Sequence, residues 1–270
     1  MDESILLVDN SYNAFYRINA TMTWFKLSHQ EIDTNSEDFV WEENEDFLKK
    51  LDKMYLSSLD NIIKKHNIPK GNIYFCMDCS RKDIWRMNIY ENYKKNRVTN
   101  TNLSGIFKYI YSSIIPKLIE EKKISTISYN NAEADDVIAV IKNFVRSKNL
   151  EKDIIIVTSD HDYLQLLDNN TYIYTLKKKL LNNKSCGDPE KDLKIKILMG
   201  DPSDNIPKIL PKCGYKTALK YSNDSELFEK KIMENIEYKQ RYLLNKELID
   251  FSCIPDKIQE GIISKYKNIN

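Results

Sequence analysis

The chain has 270 residues, with 41 Lys and Arg against 40 Asp and Glu, a formal charge of +1 and 41% hydrophobic residues. That length can bury a sizeable core, and no apolar run approaches the roughly 20 residues of a membrane span, so a soluble, intracellular globular protein is expected. Five cysteines argue for a reducing compartment over a disulfide scaffold, and six glycines, at 71, 105, 187, 200, 214 and 261, leave no G-x-G-x-x-G or G-x-x-x-x-G-K-[ST] phosphate loop.

In chain order, Ile5-Leu6-Leu7-Val8 reads as a buried strand that ends in a polar turn at Asp9-Asn10. From His29 to Leu48 there are eight acids and no Lys or Arg, a composition expected of a solvated loop. Helical spacing follows at Phe47, Leu51, Met54, Leu59, Ile62 and Ile63. Ile73-Tyr74-Phe75-Cys76-Met77 repeats the strand grammar and ends at Asp78. Arg81 to Arg97 carries six bases and two acids, and Ile106, Ile110, Ile114 and Leu118 have helical spacing. A strand is expected over 124–129, leading through Asn130-Asn131-Ala132 into a helix with Ala134, Val137, Ile138 and Ile141. Ile154-Ile155-Ile156-Val157 is a further strand ending at Thr158-Ser159-Asp160, and 172–174 adds one more. Beyond Asp188-Pro189 the pattern is helical, at 189–200, 216–222, 225–250 and 255–267. Short strands separated by helices predict an α/β fold with a mainly parallel central sheet flanked by helices.

Each expected strand delivers acid at its C-terminal end: Asp9, Asp78, then Glu133, Asp135 and Asp136 at a helix start, then Asp160 and Asp162. Asp201 and Asp204 follow in the helical region. In an open α/β sheet the crevice beyond the strand ends is where ligands bind, so these groups are expected to converge. Taken singly, an Asp after a strand is more often a turn former or helix cap. Repetition at successive strand ends argues for a shared role. Clustered carboxylates repel, and hard divalent cations with oxygen ligands, Mg²⁺ or Mn²⁺, resolve the conflict. Two such ions could clamp both oxygens of a phosphodiester displacement. Zinc fits less well, because Cys76 and Cys79 form a single C-x-x-C without a second pair. Arg86, Lys94, Lys95 and Arg97 are interleaved with Trp85, Tyr90 and Tyr93, a pattern suited to tracking phosphates and stacking bases; the alternative is an amphipathic helix with a half-buried Trp.

Leu7-Val8-Asp9, Cys76-Met77-Asp78, Ala132-Glu133-Ala134-Asp135-Asp136, Thr158-Ser159-Asp160-His161-Asp162 and Met199-Gly200-Asp201-Pro202-Ser203-Asp204-Asn205-Ile206-Pro207 resemble, in order, the signature of the 5′-to-3′ exonuclease and flap endonuclease superfamily. Trp85-Arg86, Tyr93-Lys94-Lys95-Asn96-Arg97 and Leu248-Ile249-Asp250-Phe251 with Ile254-Pro255-Asp256 bring it nearest to phage-type ribonuclease H. The resemblance implies a PIN-like 5′-nuclease fold with a helical arch and a C-terminal helix–turn–helix subregion. It divides the chain into a nuclease core at 1–187, with the arch region at 79–123, and a helical DNA-binding subregion at 188–270.

It further implies two-metal hydrolysis by Mg²⁺, with Mn²⁺ as a substitute, at 5′ ends of DNA or RNA–DNA duplexes such as flaps, nicks and RNA primers. Asp9, Asp78, Glu133 and Asp135 would hold one ion; Asp160, Asp162, Asp201 and Asp204 would hold the other, with Asp136 acting through water. Lys94 and Arg97 match the family's basic pair at the base of the arch. Arg86 and Tyr93, with Lys208, Lys212, Gly214 and Lys216, are the expected DNA contacts. The family's Gly-hydrophobic-Gly turn stands here as Lys212-Cys213-Gly214, which leaves a monovalent cation at 205–214 open. A monomer without membrane contact is expected, and no tail motif at 265–270 supports a replication clamp or single-strand-binding partner. The rival readings are a toxin-like metal-dependent ribonuclease and a non-catalytic DNA-junction binder.

Overall fold

The computed structural model describes residues 4–36, 38–97 and 101–269. Five strands, β1 (Ile5–Asp9), β2 (Ile73–Cys76), β3 (Ser125–Ile127), β4 (Ile154–Val157) and β5 (Thr171–Tyr174), form one sheet in the order β3-β2-β1-β4-β5. Every pairing is parallel, and Val8 stands level with Phe75 on one side and Val157 on the other. The four expected strands and the short fifth are all present. The unbroken apolar runs of β1, β2 and β4 reflect burial on both faces, as parallel sheets require.

Side chains alternate between two cores. Ile5, Leu7, Tyr74, Cys76, Ile154, Ile156 and Ile173 pack on one face against α6 (Ala134–Lys148) and, at the chain's end, Asp256–Ile269. Leu6, Val8, Phe75, Ile155 and Val157 pack on the other, against α1 (Asn10–Ser28), α2 (Glu45–Leu56) and α3 (Asp60–Lys65), and against α4 (Ser104–Tyr109) and α5 (Ile115–Lys122), which a π-helical turn at Ile110–Ile114 joins. Leu7 is wholly enclosed, so its truncation to Ala should cost about 2–5 kcal/mol.

The expected polar turn at Asp9-Asn10 is instead the start of α1: the Asp9 carboxylate caps the helix by accepting from the Tyr12 N–H at 3.0 Å. The acidic stretch is more than a solvated loop. Its acids are mostly exposed and Glu37 lies outside the described residues, but Phe39 and Trp41 pack on Phe25 with ring centroids 5.8 and 5.6 Å away.

Residues 79–97 run through two 3₁₀ turns, Arg81–Asp83 and Trp85–Asn88, laid onto the core, and residues 98–100 lie outside the described residues. The helical region comprises α7 (Pro189–Met199), α8 (Tyr215–Asn223), α9 (Ser225–Phe228), α10 (Ile236–Ile249) and α11 (Asp256–Ile269). Asp188 caps α7, with Pro189 as its first residue. The single expected helix over 225–250 is broken, because Asn235 caps a fresh start by accepting from the Tyr238 N–H at 3.0 Å. No helix among the described residues is long and apolar enough to cross a membrane.

Candidate active site

Because all five strands are parallel, the chain leaves β1, β2 and β4 at the same edge of the sheet, and α6 begins there too. A cleft of about 350 Å³ opens at that edge, lined by Asp9, Asp78, Glu133, Asp135 and Asp160 together with Lys94, Arg97, Ser11, Tyr12, Phe15, Ala134 and Tyr163. Carboxylates separated by up to 151 positions (160 − 9) therefore share one space, as the sequence leads one to expect.

Three of them hold only neutral partners, and a fourth, Asp135, has a base at the limit of ion-pairing distance. Asp9 accepts from the Tyr12 N–H at 3.0 Å and the Thr158 hydroxyl at 3.1 Å, and burial together with the charge of Asp78 pushes its carboxyl up to about 7. Asp78 accepts from the Ser11 hydroxyl and from the Ala134 N–H at 2.7 Å. Asp160 accepts from the Asp162 N–H at 2.9 Å. Asp135 accepts from the Asp136 N–H at 2.7 Å with Arg86 3.9 Å away, and burial raises its carboxyl well above the usual range despite that guanidinium.

The remaining acids are already neutralised by bases. Glu133 binds the Lys94 ammonium, Arg86 at 3.1 Å and the Tyr93 hydroxyl at 2.9 Å. Burial works to raise its carboxyl, but the two cations outweigh it and hold it below the ordinary value. Asp204 binds the Arg97 guanidinium, with the Lys94 ammonium at 3.6 Å. Asp162 and Asp201 gather around Lys196, at 2.5 and 2.8 Å. Burial and the charge of Asp160 still push Asp162 up to about 7, whereas Asp201 is held low: burial opposes this, but Lys196 and Ser203 prevail. Lys196 has no role in the sequence reading; its place in the last turn of α7, just ahead of Gly200-Asp201, is the only signal.

Three expected roles change. Asp136 lies within 4.8 Å of the Glu133 and Asp135 oxygens, yet it is 0% exposed and turned away from the cleft. Its oxygens accept from Arg86 at 2.7 and 2.9 Å, from the Trp85 indole at 2.9 Å and from the Glu133 N–H at 2.9 Å, so it anchors the turn. Arg86, 1% exposed, and Tyr93, 3% exposed, are likewise enclosed, which removes them as surface contacts for DNA. Trp85 lies over the Arg86 guanidinium, 4.6 Å from carbon to ring centroid, and is buried as well; the ion pairs with the acidic turn pull this stretch inward.

Lys208, Lys212 and Lys216 are exposed around the turn that leads into α8, with Ile209 and Cys213 buried beneath them. Lys212 takes the left-handed conformation, φ 57°, and Gly214 caps α8 in an extended one, φ −108°. Gly200 is left-handed at φ 63°, and a Cβ there would stand 2.5 Å from the carbonyl oxygens of both Ile206 and Pro207. That close approach lets Asp201 and Ile206 exchange backbone hydrogen bonds of 2.9 and 2.8 Å, closing the loop that carries Asp204.

An all-oxygen donor set, crowded and without a close basic partner at Asp9, Asp78 and Asp160 among the described residues, is suited to a hard metal ion.

Comparison with known proteins agrees with this geometry. The family model described as 5'-3' exonuclease, N-terminal resolvase-like domain, matches residues 6–191. A 5'-3' exonuclease of Buchnera aphidicola subsp. Schizaphis graminum is 34% identical over 185 residues, covering 64% of this chain and 61% of that protein. Ribonuclease H of enterobacteria phage T4 is 31% identical over 230 residues, covering 77% of this chain and 73% of that protein. The chain thus spans less than two thirds of the Buchnera relative's length. A crystal structure of the bacteriophage T5 flap endonuclease, in a pseudo-enzyme-product complex with DNA and metal ions, superposes with a TM-score of 0.69 at 14% identity over 99% of both chains. That likeness shows a shared fold. With the family model spanning most of the chain and the acids of its strand ends gathered in one cleft, the chain belongs to the 5′-3′ exonuclease family.

Proposed function

We propose that the chain is a structure-dependent 5′ nuclease that hydrolyses phosphodiester bonds at 5′ ends of DNA or RNA–DNA duplexes, including flaps, nicks and RNA primers, with Mg²⁺ or Mn²⁺. The observation that carries the reading is the cleft in which Asp9, Asp78, Asp135 and Asp160 face Lys94 and Arg97. Carboxylates alone would repel a phosphodiester. With cations among them, and with two fixed bases at the rim, the same cleft attracts one.

Asp9, Asp78, Glu133 and Asp135 would hold one ion, and Asp160 with Asp162, Asp201 and Asp204 a second. Divalent cations bound there supply Lewis acidity and a more acidic water at the scissile phosphate. The protein's own part is binding and orientation. Lys94 presents a compact point charge and Arg97 a planar fork, which suit a phosphate whose charge grows during reaction. Both bases now rest on Asp204 or Glu133, so an arriving phosphate competes with those carboxylates for them. Residues 188–270 would bind the duplex, through Lys208, Lys212 and Lys216 and the backbone ahead of α8.

The test is a 5′-labelled flap incubated with the purified chain, with Mg²⁺ and with chelator. Cleavage that needs the cation is expected. Binding without cleavage in Mg²⁺ or Mn²⁺ would favour a junction-binding protein, and cleavage of RNA without regard to duplex ends would favour a toxin-like ribonuclease.

A further inference from the structure

We infer that the chain segment Leu248–Phe251, where α10 ends, positions both acid-bearing turns of the candidate active site, with Arg86 and Gln165 as the connecting side chains. The inference rests on the nuclease reading above and concerns how its carboxylates are held. Arg86 donates from Nε to the Leu248 carbonyl at 2.7 Å while its other nitrogens grip Glu133 at 3.1 Å and Asp136 at 2.7 Å. One residue further on, Gln165 donates from Nε2 to the Ile249 carbonyl at 3.0 Å and to the Asp162 carbonyl at 2.9 Å, and its Oε1 accepts from the Phe251 N–H at 2.9 Å.

The first turn carries Glu133 and Asp135, and the second carries Asp160 and Asp162; both meet the same four residues of backbone. The carbonyls they meet are among those a helix end leaves without intrahelical partners, so the two side chains fill a need of α10 and fix the turns together. The junction is dry: Leu248 and Ile249 are 2% exposed and Phe251 5%. Phe251 also packs its ring on Tyr163, which lines the cleft, with centroids 5.9 Å apart. One turn back along α10, Asn245 donates to the Ile197 and Pro207 carbonyls at 3.0 and 2.8 Å, which ties the same helix to the loop bearing Asp201 and Asp204. All the candidate ligand turns beyond β1 and β2 thus lean on one helix. Groups that orient metal ligands control affinity without touching the ion or the substrate, so Arg86 and Gln165 are positioning residues.

The experiment uses the full chain stripped with chelator and compares Gln165→Met with wild type. Four quantities are measured: Mn²⁺ affinity from the electron paramagnetic signal of free Mn²⁺, flap-duplex affinity in chelator by anisotropy, kcat and KM of cleavage, and thermal unfolding. The expected result is Mn²⁺ affinity and kcat each lower by about 10–100-fold, with KM and the duplex affinity unchanged. Arg86→Lys, which keeps the charge but loses the fork, should shift Mn²⁺ affinity in the same direction. If Gln165→Met fails to fold, Gln165→Asn, which keeps the amide but is one methylene short, takes its place under the same criteria. A folded variant with wild-type Mn²⁺ affinity and kcat overturns the inference, and so does a loss of duplex affinity equal to the loss of kcat. A wild-type chain that neither binds Mn²⁺ nor cleaves would bring down the nuclease reading itself; an active wild type with unimpaired variants brings down the positioning role alone.

Discussion

The acids in and around the cleft fall into two populations that the sequence writes in the same letters. Asp9, Asp78 and Asp160 rest on hydroxyls and backbone N–H groups, whereas Glu133, Asp136, Asp162, Asp201 and Asp204 are bound to Arg86, Lys94, Arg97 or Lys196. A carboxylate held by a fixed base is costly to break, whereas one without a base is free to take an incoming cation. The first population is open to metal as it stands; in the second, Asp136 fixes the frame, and Glu133, Asp162, Asp201 and Asp204 would share an ion with the bases they already hold.

Substitutions should separate the populations. Asp160→Asn removes an unpaired ligand, so cleavage of a labelled flap should fall to background while duplex binding in chelator stays intact; residual wild-type turnover would erase the distinction. Lys94→Ala should lower kcat by about 10²–10³-fold, as expected for a lost donor to transition-state charge, and should weaken duplex binding far less. Equal losses would reduce Lys94 to a ground-state phosphate contact. Asp136→Leu leaves the Arg86 guanidinium buried without its bidentate partner and should cost about 3–5 kcal/mol in urea unfolding. A variant as stable as wild type would place Asp136 with the unpaired group.

The smallest effect is in pH. An isolated Asp titrates near 3.8, and Asp9 is pushed to about 7 in the folded chain. Between those values the folded protein keeps a proton that the unfolded chain has lost, so stability without metal should fall as pH rises from about 4 to about 7. Asp162, also pushed to about 7, adds to the trend; His66, lowered by burial, opposes it. Comparing melting temperatures with Asp9→Asn isolates one carboxyl: the variant should gain most stability relative to wild type at pH 8 and little at pH 4. Saturating Mg²⁺ should restore the wild type at pH 8.

Much of this frame is legible in the sequence because β1, β2 and β4 announce themselves by unbroken apolar runs, and each of these runs ends at or within three residues of an acid. What is not legible is direction. Asp135 and Asp136 are adjacent and chemically identical, yet a helix turns successive side chains by about 100°, and only one of the two lines the cleft. Trp85, Arg86 and Tyr93 read as a basic aromatic face because periodicity cannot say whether a charge finds its partner in solvent or in Asp136 some fifty residues on. The helix α1 escapes the same reading for a related reason. Asn10, Asn13 and Thr21 are buried in it, so its inner face is partly polar and the apolar stripe is blurred. Lys196 is hidden because its partners Asp162 and Asp201 come from different segments.

Gly200 carries a consequence for how this region tolerates change. Even the smallest side chain would strike two carbonyl oxygens at once, and neither can swing aside, since both belong to the main chain. The crossing of strand-like backbone at this point acts as a hinge pin with no clearance, so Gly200→Ala should unseat Asp201 and Asp204 together and leave the five-stranded sheet standing.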